Sequence, residues 1–237
     1  MKNWLLGTAL AGLVLISGCA QAPSGAITAA VADAGRTEAD KAADDLRKPA
    51  QTIAFAGVKP GDKVAELQPG GGYFTRIFTK LVGANGKVFT YAPPRPNAPP
   101  PAAPAGPNVT VLSGPYADFA VPEPVDVVWT SRNYHDFQNA AGADMLAFNR
   151  KVFAALKPGG IYIVLDHAAA ADAPEDVTRT LHRAKEATVR SQAEAAGFRF
   201  VASGEVLRNP ADDKSKRVQE QDVRGKTDQF VLKFQKP

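Results

Sequence analysis

Short apolar runs, each followed by a helical stretch, recur along this chain and restrict its fold more than any other feature. "KVAEL" (63–67), "KVFTY" (87–91), "VDVVWT" (125–130) and "GIYIVLD" (160–166) have the length of strands. In the last two, apolar residues fall at successive positions rather than alternate ones. Strands of that kind are covered on both faces, as in a parallel sheet held between two helical layers. The pattern predicts strands over 63–67, 87–91, 108–112, 125–130 and 160–166, and helices over 73–82 and 142–156. A long helix over 174–196 follows. "FRFVASGEVL" and "DQFVLKFQ" then read as a hairpin-related pair, with the final strand entering the sheet antiparallel.

Two helices are expected before the first strand. The alanine-rich stretch 29–46, with acids and bases interleaved, reads as an amphipathic helix ended by Pro49. A second helix covers 49–56, with Pro49 in its first turn and Gly57 beyond its end. Between the second and third strands lies "PPRPNAPPPAAPAGP" (93–107). Proline at that density excludes a helix, so this crossover reads as an extended loop serving as a spacer, a lid or a docking segment for a protein partner.

The start of the chain carries Lys2, an apolar run over 4–16 and then Ser17, Gly18 and Cys19. The run is shorter than the roughly 20 residues of a membrane span, so 1–18 reads as a signal peptide. Ile16-Ser17-Gly18-Cys19 resembles the lipobox of bacterial lipoproteins. That resemblance implies lipidation of Cys19, a flexible tether over 19–30 and one domain over 31–237. With Ala20 next to the cysteine, it implies anchoring at the outer membrane, facing the periplasm. Cys19 is the only cysteine, which excludes an internal disulfide, a thiol nucleophile and thiolate metal ligands in the domain. The net charge is +4, with bases and acids interspersed, so no nucleic-acid footprint is read.

In an open parallel sheet, ligands bind beyond the carboxyl ends of the strands. "ELQPGGGY" (66–73) puts Glu66 at such an end, with Gly70, Gly71 and Gly72 in the turn that follows. Glycine permits left-handed backbone and leaves room for a ligand, although a tight turn wants glycine with or without one. All three histidines lie further on: His135 and Asp136 beyond the fourth strand, Asp166 and His167 at the end of the fifth, and His182 four residues before Glu186. A histidine there suits a general base. The same His and Asp residues suit metal-assisted hydrolysis, but no compact His-Glu-x-x-His spacing is present and no metal centre is assigned. His182 and Glu186 read as a surface or packing pair.

"KPGDKVAELQPGGGYFT", "GKVFTYAP", "VDVVWTSRNYHDF" and "ALKPGGIYIVLDH" resemble, in order and spacing, successive segments of the class I S-adenosylmethionine-dependent methyltransferases. "RNYHDF", "LDHAA", "LHRAKEATV" and "RGKTDQFVLKF" narrow the resemblance to a bacterial methyltransferase-like family with many exported members. It implies an α/β, Rossmann-like fold: a mostly parallel seven-stranded sheet with an antiparallel last strand, helices on both faces and N-terminal helices ahead of it. The implied cofactor is S-adenosyl-L-methionine. Glu66 would order the turn, Gly70 to Gly72 would lie against its amino-acid and ribose parts, and Tyr73 would begin the helix beside them.

Two departures bear on that cofactor. Gln68 stands where the family's first glycine is usual, and Ala92 where an acid usually accepts both ribose hydroxyls. Loss of that acid forfeits about 1.5 to 3 kcal/mol per hydrogen bond. After the third strand, Pro115 replaces an adenine-binding acid, for which Tyr116 or Asp118 would substitute. The implied reaction is methyl transfer to a small-molecule or envelope-associated acceptor, with His135 or His167 as base beside Asp136 and Asp166. The alternative is an envelope lipoprotein that keeps the fold as a non-catalytic ligand- or protein-binding module.

Overall fold

The computed structural model describes residues 22–94 and 106–237. Seven strands form one sheet in the order β3-β2-β1-β4-β5-β7-β6. They are β1 (Lys63–Leu67), β2 (Lys87–Ala92), β3 (Val109–Ser113), β4 (Val125–Ser131), β5 (Leu156–His167), β6 (Arg199–Gly204) and β7 (Gln229–Gln235). The first five pair in parallel, while β7 runs antiparallel to both β5 and β6. The expected mostly parallel sheet with its last strand reversed is therefore present.

Burial on both faces explains the apolar runs. Along β5, Ile163 and Leu165 face a cluster that contains Val64, Val127 and Trp129, whereas Tyr162 and Val164 face one with Ala65, Val128 and Phe234. Helix α5 (Tyr73–Val82) covers the first face, its Phe74 and Phe78 rings lying 4.8 and 5.2 Å from Trp129. Helices α6 (Tyr134–Asn139), α7 (Met145–Ala155) and α9 (Glu186–Ala195) cover the second.

Several expected elements differ in extent. The helix read over 29–46 is broken into α1 (Gly25–Val31), α2 (Glu38–Ala42) and α3 (Asp44–Arg47). Ser24 and Thr37 each cap a new helix with a side-chain oxygen, and Arg36 donates back to the Val31 carbonyl at 2.6 Å, closing the turn between them. The span read as a tether over 19–30 thus enters α1 at Gly25. Helix α4 (Pro49–Ala56) has the expected bounds, with Pro49 at its start and Gly57 at φ 84° ending it. The helix over 142–156 is α7, and β5 begins at Leu156.

The helix expected over 174–196 is interrupted as well. Only α8 (Val177–Thr180) and α9 are helical, because Ala184 bridges the backbone of Ala168 beyond β5. Ala184 N–H donates to the His167 carbonyl at 2.8 Å and Ala169 N–H donates to the Ala184 carbonyl at 2.9 Å. Sheet pairing has displaced local helix preference. The signal peptide, Cys19 and most of the proline-rich segment, residues 95–105, lie outside the described residues.

Candidate active site

The glycine turn leaves β1 and enters α5 through alternate left-handed residues: Gln68 at φ 51°, Gly70 at φ 58° and Gly72 at φ 78°. The position where glycine is usual therefore does hold left-handed backbone, and Gln68 tolerates it because its main and side chains are both tied down. Its N–H donates to the Tyr91 carbonyl at 2.7 Å, and its amide nitrogen donates to Asp136 Oδ2 at 3.2 Å. Glu66 is buried and accepts from Thr75 Oγ1 at 2.5 Å, which fastens the strand end to α5. Burial pushes its carboxyl up to about 7. A Cβ added at Gly70 or Gly71 would meet nothing within 4 Å, so this side of the turn is open.

Over that open side lies a pocket of about 310 Å³, at the lower end of the ~300–1,000 Å³ typical of ligand sites. Its floor is the end of β1 and the turn after it, Glu66 to Gly71, one wall is Ser131 to Asn133 at the end of β4, and the other is the α2–α3 segment from Ala39 to Arg47. Two guanidiniums line it. Arg132 adopts φ 63°, donates from Nε to Gln229 Oε1 at 3.0 Å and leaves Nη2 buried without a partner among the described residues. Burial, aided by Arg47, lowers Arg132 to about 10. Arg47 lies 4.3 Å over the Tyr73 ring. The carboxylates near it are engaged elsewhere, Asp44 with Arg36 and Asp40 with Arg76. Two cations facing a cavity, with no ion-pair partner of their own among the described residues, suit an anionic group.

Tyr73 sits at the start of α5 as expected, but its hydroxyl donates to Asp44 Oδ1 at 2.5 Å, facing the N-terminal helices. Tyr116 and Asp118 are not drawn into the pocket's lining. The Tyr116 ring packs against Phe137 at 4.5 Å and Phe148 at 6.3 Å, while Asp118 is exposed on a 3-10 turn. Ala92 ends β2 without a carboxylate, and Tyr91 beside it donates to the Pro115 carbonyl at 2.8 Å. The cationic side of the pocket is thus the Arg47 and Arg132 end.

Beyond β4 and β5 the histidines and acids do converge. Asp166 is fully buried and accepts from the His135 backbone N–H at 2.8 Å, the His167 backbone N–H at 2.8 Å and His135 Nδ1 at 2.9 Å. Burial alone would raise its carboxyl; His135 and these N–H groups hold it below the usual range. Burial likewise opposes charge on His135, but Asp166 outweighs it and raises the imidazole. His167 diverges: its Nδ1 meets Thr227 Oγ1 at 2.6 Å, and burial drives it down to about 3, so it stays neutral.

His182 is not paired with Glu186, which instead accepts from Arg208 and Ser203. The Ala168–Ala184 bridge turns it toward His135, with ring centroids 5.3 Å apart. Arg47 and Arg132 are the site residues that the sequence did not single out, and His182 was read only as a surface or packing pair. Arg132 and His182 stand inside the quoted "SRNYHDF" and "LHRAKEATV" segments, where their left-handed backbone has no sequence signal.

No family model matches the chain, and no curated protein matches its sequence. Solved structures do. A methyltransferase of Aquifex aeolicus, dependent on S-adenosylmethionine, superposes with TM-score 0.54 at 19% identity, over 81% of this chain and 90% of its own. The chain has the class I methyltransferase fold. The glycopeptide N-methyltransferase MtfA, complexed with sinefungin, gives 0.54 at 16% identity, covering 82% of this chain and 86% of its own. An arsenic(III) S-adenosylmethionine methyltransferase of Chlamydomonas reinhardtii gives 0.53 at 17%, covering 90% and 74%. Here the glycine turn after β1 meets the helix that follows β4 through the Gln68–Asp136 hydrogen bond.

Proposed function

We propose that this chain is an S-adenosylmethionine-dependent methyltransferase whose pocket grips the amino-acid end of the cofactor more firmly than its ribose. The observation that carries the reading is the open pocket over Gly70 and Gly71, lined by two guanidiniums without ion-pair partners among the described residues. Once bound, the cofactor supplies a methyl group on a cationic sulfur. Arg47 and Arg132 would hold its carboxylate, and the bare glycine backbone would let it approach the turn. Glu66, fastened to Thr75, would keep that turn in shape. The acceptor, a small or envelope-associated molecule, would enter over β4 and β5. There Asp166 fixes His135, whose second nitrogen, beside Asp136 Oδ1 at 3.4 Å, would be the base this reading offers the acceptor.

Ligand-observed NMR with S-adenosylhomocysteine tests the reading. Saturation from the protein should be stronger on the homocysteine methylenes than on the ribose protons. Arg132→Ala should weaken binding by about one to two decades, the worth of a charge-assisted hydrogen bond. Saturation confined to the adenosine protons would contradict it. Ala92 favours a second reading, a binding module without turnover; such a module would bind the cofactor yet leave it intact with every acceptor offered. We also place the protein on the periplasmic side of the envelope through lipid on Cys19. Cys19→Ser should move it out of the membrane fraction, and unchanged fractionation would remove that placement.

A further inference from the structure

Three electron-pair donors meet above the ends of β4 and β5. His135 Nδ1 is committed to the Asp166 carboxylate at 2.9 Å, which leaves Nε2 as the free nitrogen. That nitrogen faces Asp136 Oδ1 at 3.4 Å. His182 Nδ1 lies 3.9 Å from the same oxygen, and the ligating atoms of all three residues fall within 4.8 Å of one another. Lone pairs pointed at a carboxylate oxygen repel it unless a proton or a cation lies between them. We propose that His135, Asp136 and His182 form a site for one divalent transition-metal ion of the Zn(II) class.

Ligand chemistry selects the class. Two imidazoles and one carboxylate suit Zn(II) and its neighbours, whereas Mg(II) and Ca(II) take oxygen donors. Outer partners are in place: buried Asp166 orients His135, and Gln68 donates to the other oxygen of Asp136 at 3.2 Å. Such partners fix the ring tautomer and ligand direction around bound metals. His182 holds φ 54°, a conformation a non-glycine residue adopts at a cost and one frequent at functional sites. His135 is buried, while the Asp136 and His182 side chains are 36% and 26% exposed, which leaves an entry path and an open coordination position. Arg217 lies 2.8 Å from His182 Nε2. Ligation through Nδ1 puts the proton on Nε2, so exposed Arg217 must swing away when metal binds. The site stands without methyl transfer, and an ion held there would occupy the His135 nitrogen that the methyltransferase reading gives to the acceptor's proton.

The test is calorimetric titration of the full chain, untagged and chelator-treated, with Zn(II), Co(II) and Mg(II), alongside absorption spectra of the Co(II) form. One Zn(II) per chain should bind, Co(II) should give a tetrahedral ligand-field spectrum, and Mg(II) should give no heat. His182→Ala, a partly exposed position whose variant can be checked for folding by circular dichroism, should weaken Zn(II) by at least about tenfold, since even outer partners are worth about 10–100-fold. Arg217→Ala should bind Zn(II) at least as tightly as the parent. The chain holds three histidines, and His167 is engaged with Thr227, so the assignment is direct. Zn(II) binding unaltered in a folded His182→Ala chain, or absent from the folded parent, would overturn the site and leave a hydrogen-bonded cluster.

Discussion

Glu66 shows how one residue ties the fold to the pocket. Its carboxyl is raised to about 7 from an ordinary 4.5 by burial, so the folded protein holds a proton there that the unfolded chain releases. The stability this contributes is present below about pH 4.5 and is lost as pH rises toward 7, by up to about 3 kcal/mol. Melting measured from pH 4.5 to 8 should show that decline, and Glu66→Gln should flatten it; an unchanged slope in the variant would assign the dependence to other groups. Gly71 makes the complementary case. It has ordinary backbone and open space around its would-be Cβ, so Gly71→Asp should fold with stability within about 0.5 kcal/mol of the parent. The added carboxylate would stand in the pocket, and cofactor binding should be lost. At this scale the sequence was only partly informative. Glu66 and the glycines were legible because their types and spacing are local, whereas Arg47 and Arg132 matter through a cavity assembled from distant segments.

At the scale of elements, the excursion between β6 and β7 is held by a buried ion pair. Arg183 is fully buried and meets Asp212 at 2.7 and 3.1 Å, while Asp212 also accepts from the Asp228 N–H at 2.7 Å. Removal of one partner strands the other charge, so Asp212→Ala should cost about 3–5 kcal/mol in denaturant unfolding. A cost below about 1 kcal/mol would show that the guanidinium finds solvent. The same segment explains why the long helix expected over 174–196 is absent: Ala184 pairs with Ala168, and Arg183 turns inward. Helix periodicity in "LHRAKEATV" is a local signal, and a backbone bridge to a residue beyond β5 outweighs it. The parallel strands were legible because burial on both faces leaves continuous apolar runs. The break between α1 and α2 carried one capping signal, Thr37, that the alanine-rich composition overshadowed.

For the whole molecule, strand order brings together segments far apart in sequence. β1 lies between β2 and β4, so the glycine turn abuts both the Ala92 end and the Arg132 end. The first carries no acid at Ala92, while the second carries cations from two segments, Arg47 and Arg132. On the proposed reading a cofactor bound here would be gripped mainly by its carboxylate, so Arg47→Ala should weaken it by about one to two decades while Ala92→Asp strengthens it. Competition titrations with S-adenosylhomocysteine measure both. A loss with Ala92→Asp would place the ribose elsewhere.

The most direct measurement is isothermal titration of S-adenosylmethionine and S-adenosylhomocysteine into the folded protein, with Gly71→Asp in parallel. Saturable binding of both ligands that the folded variant lacks is the predicted result. No heat at millimolar ligand from the folded parent, or equal binding by Gly71→Asp, would contradict the assignment of the glycine turn as a cofactor site.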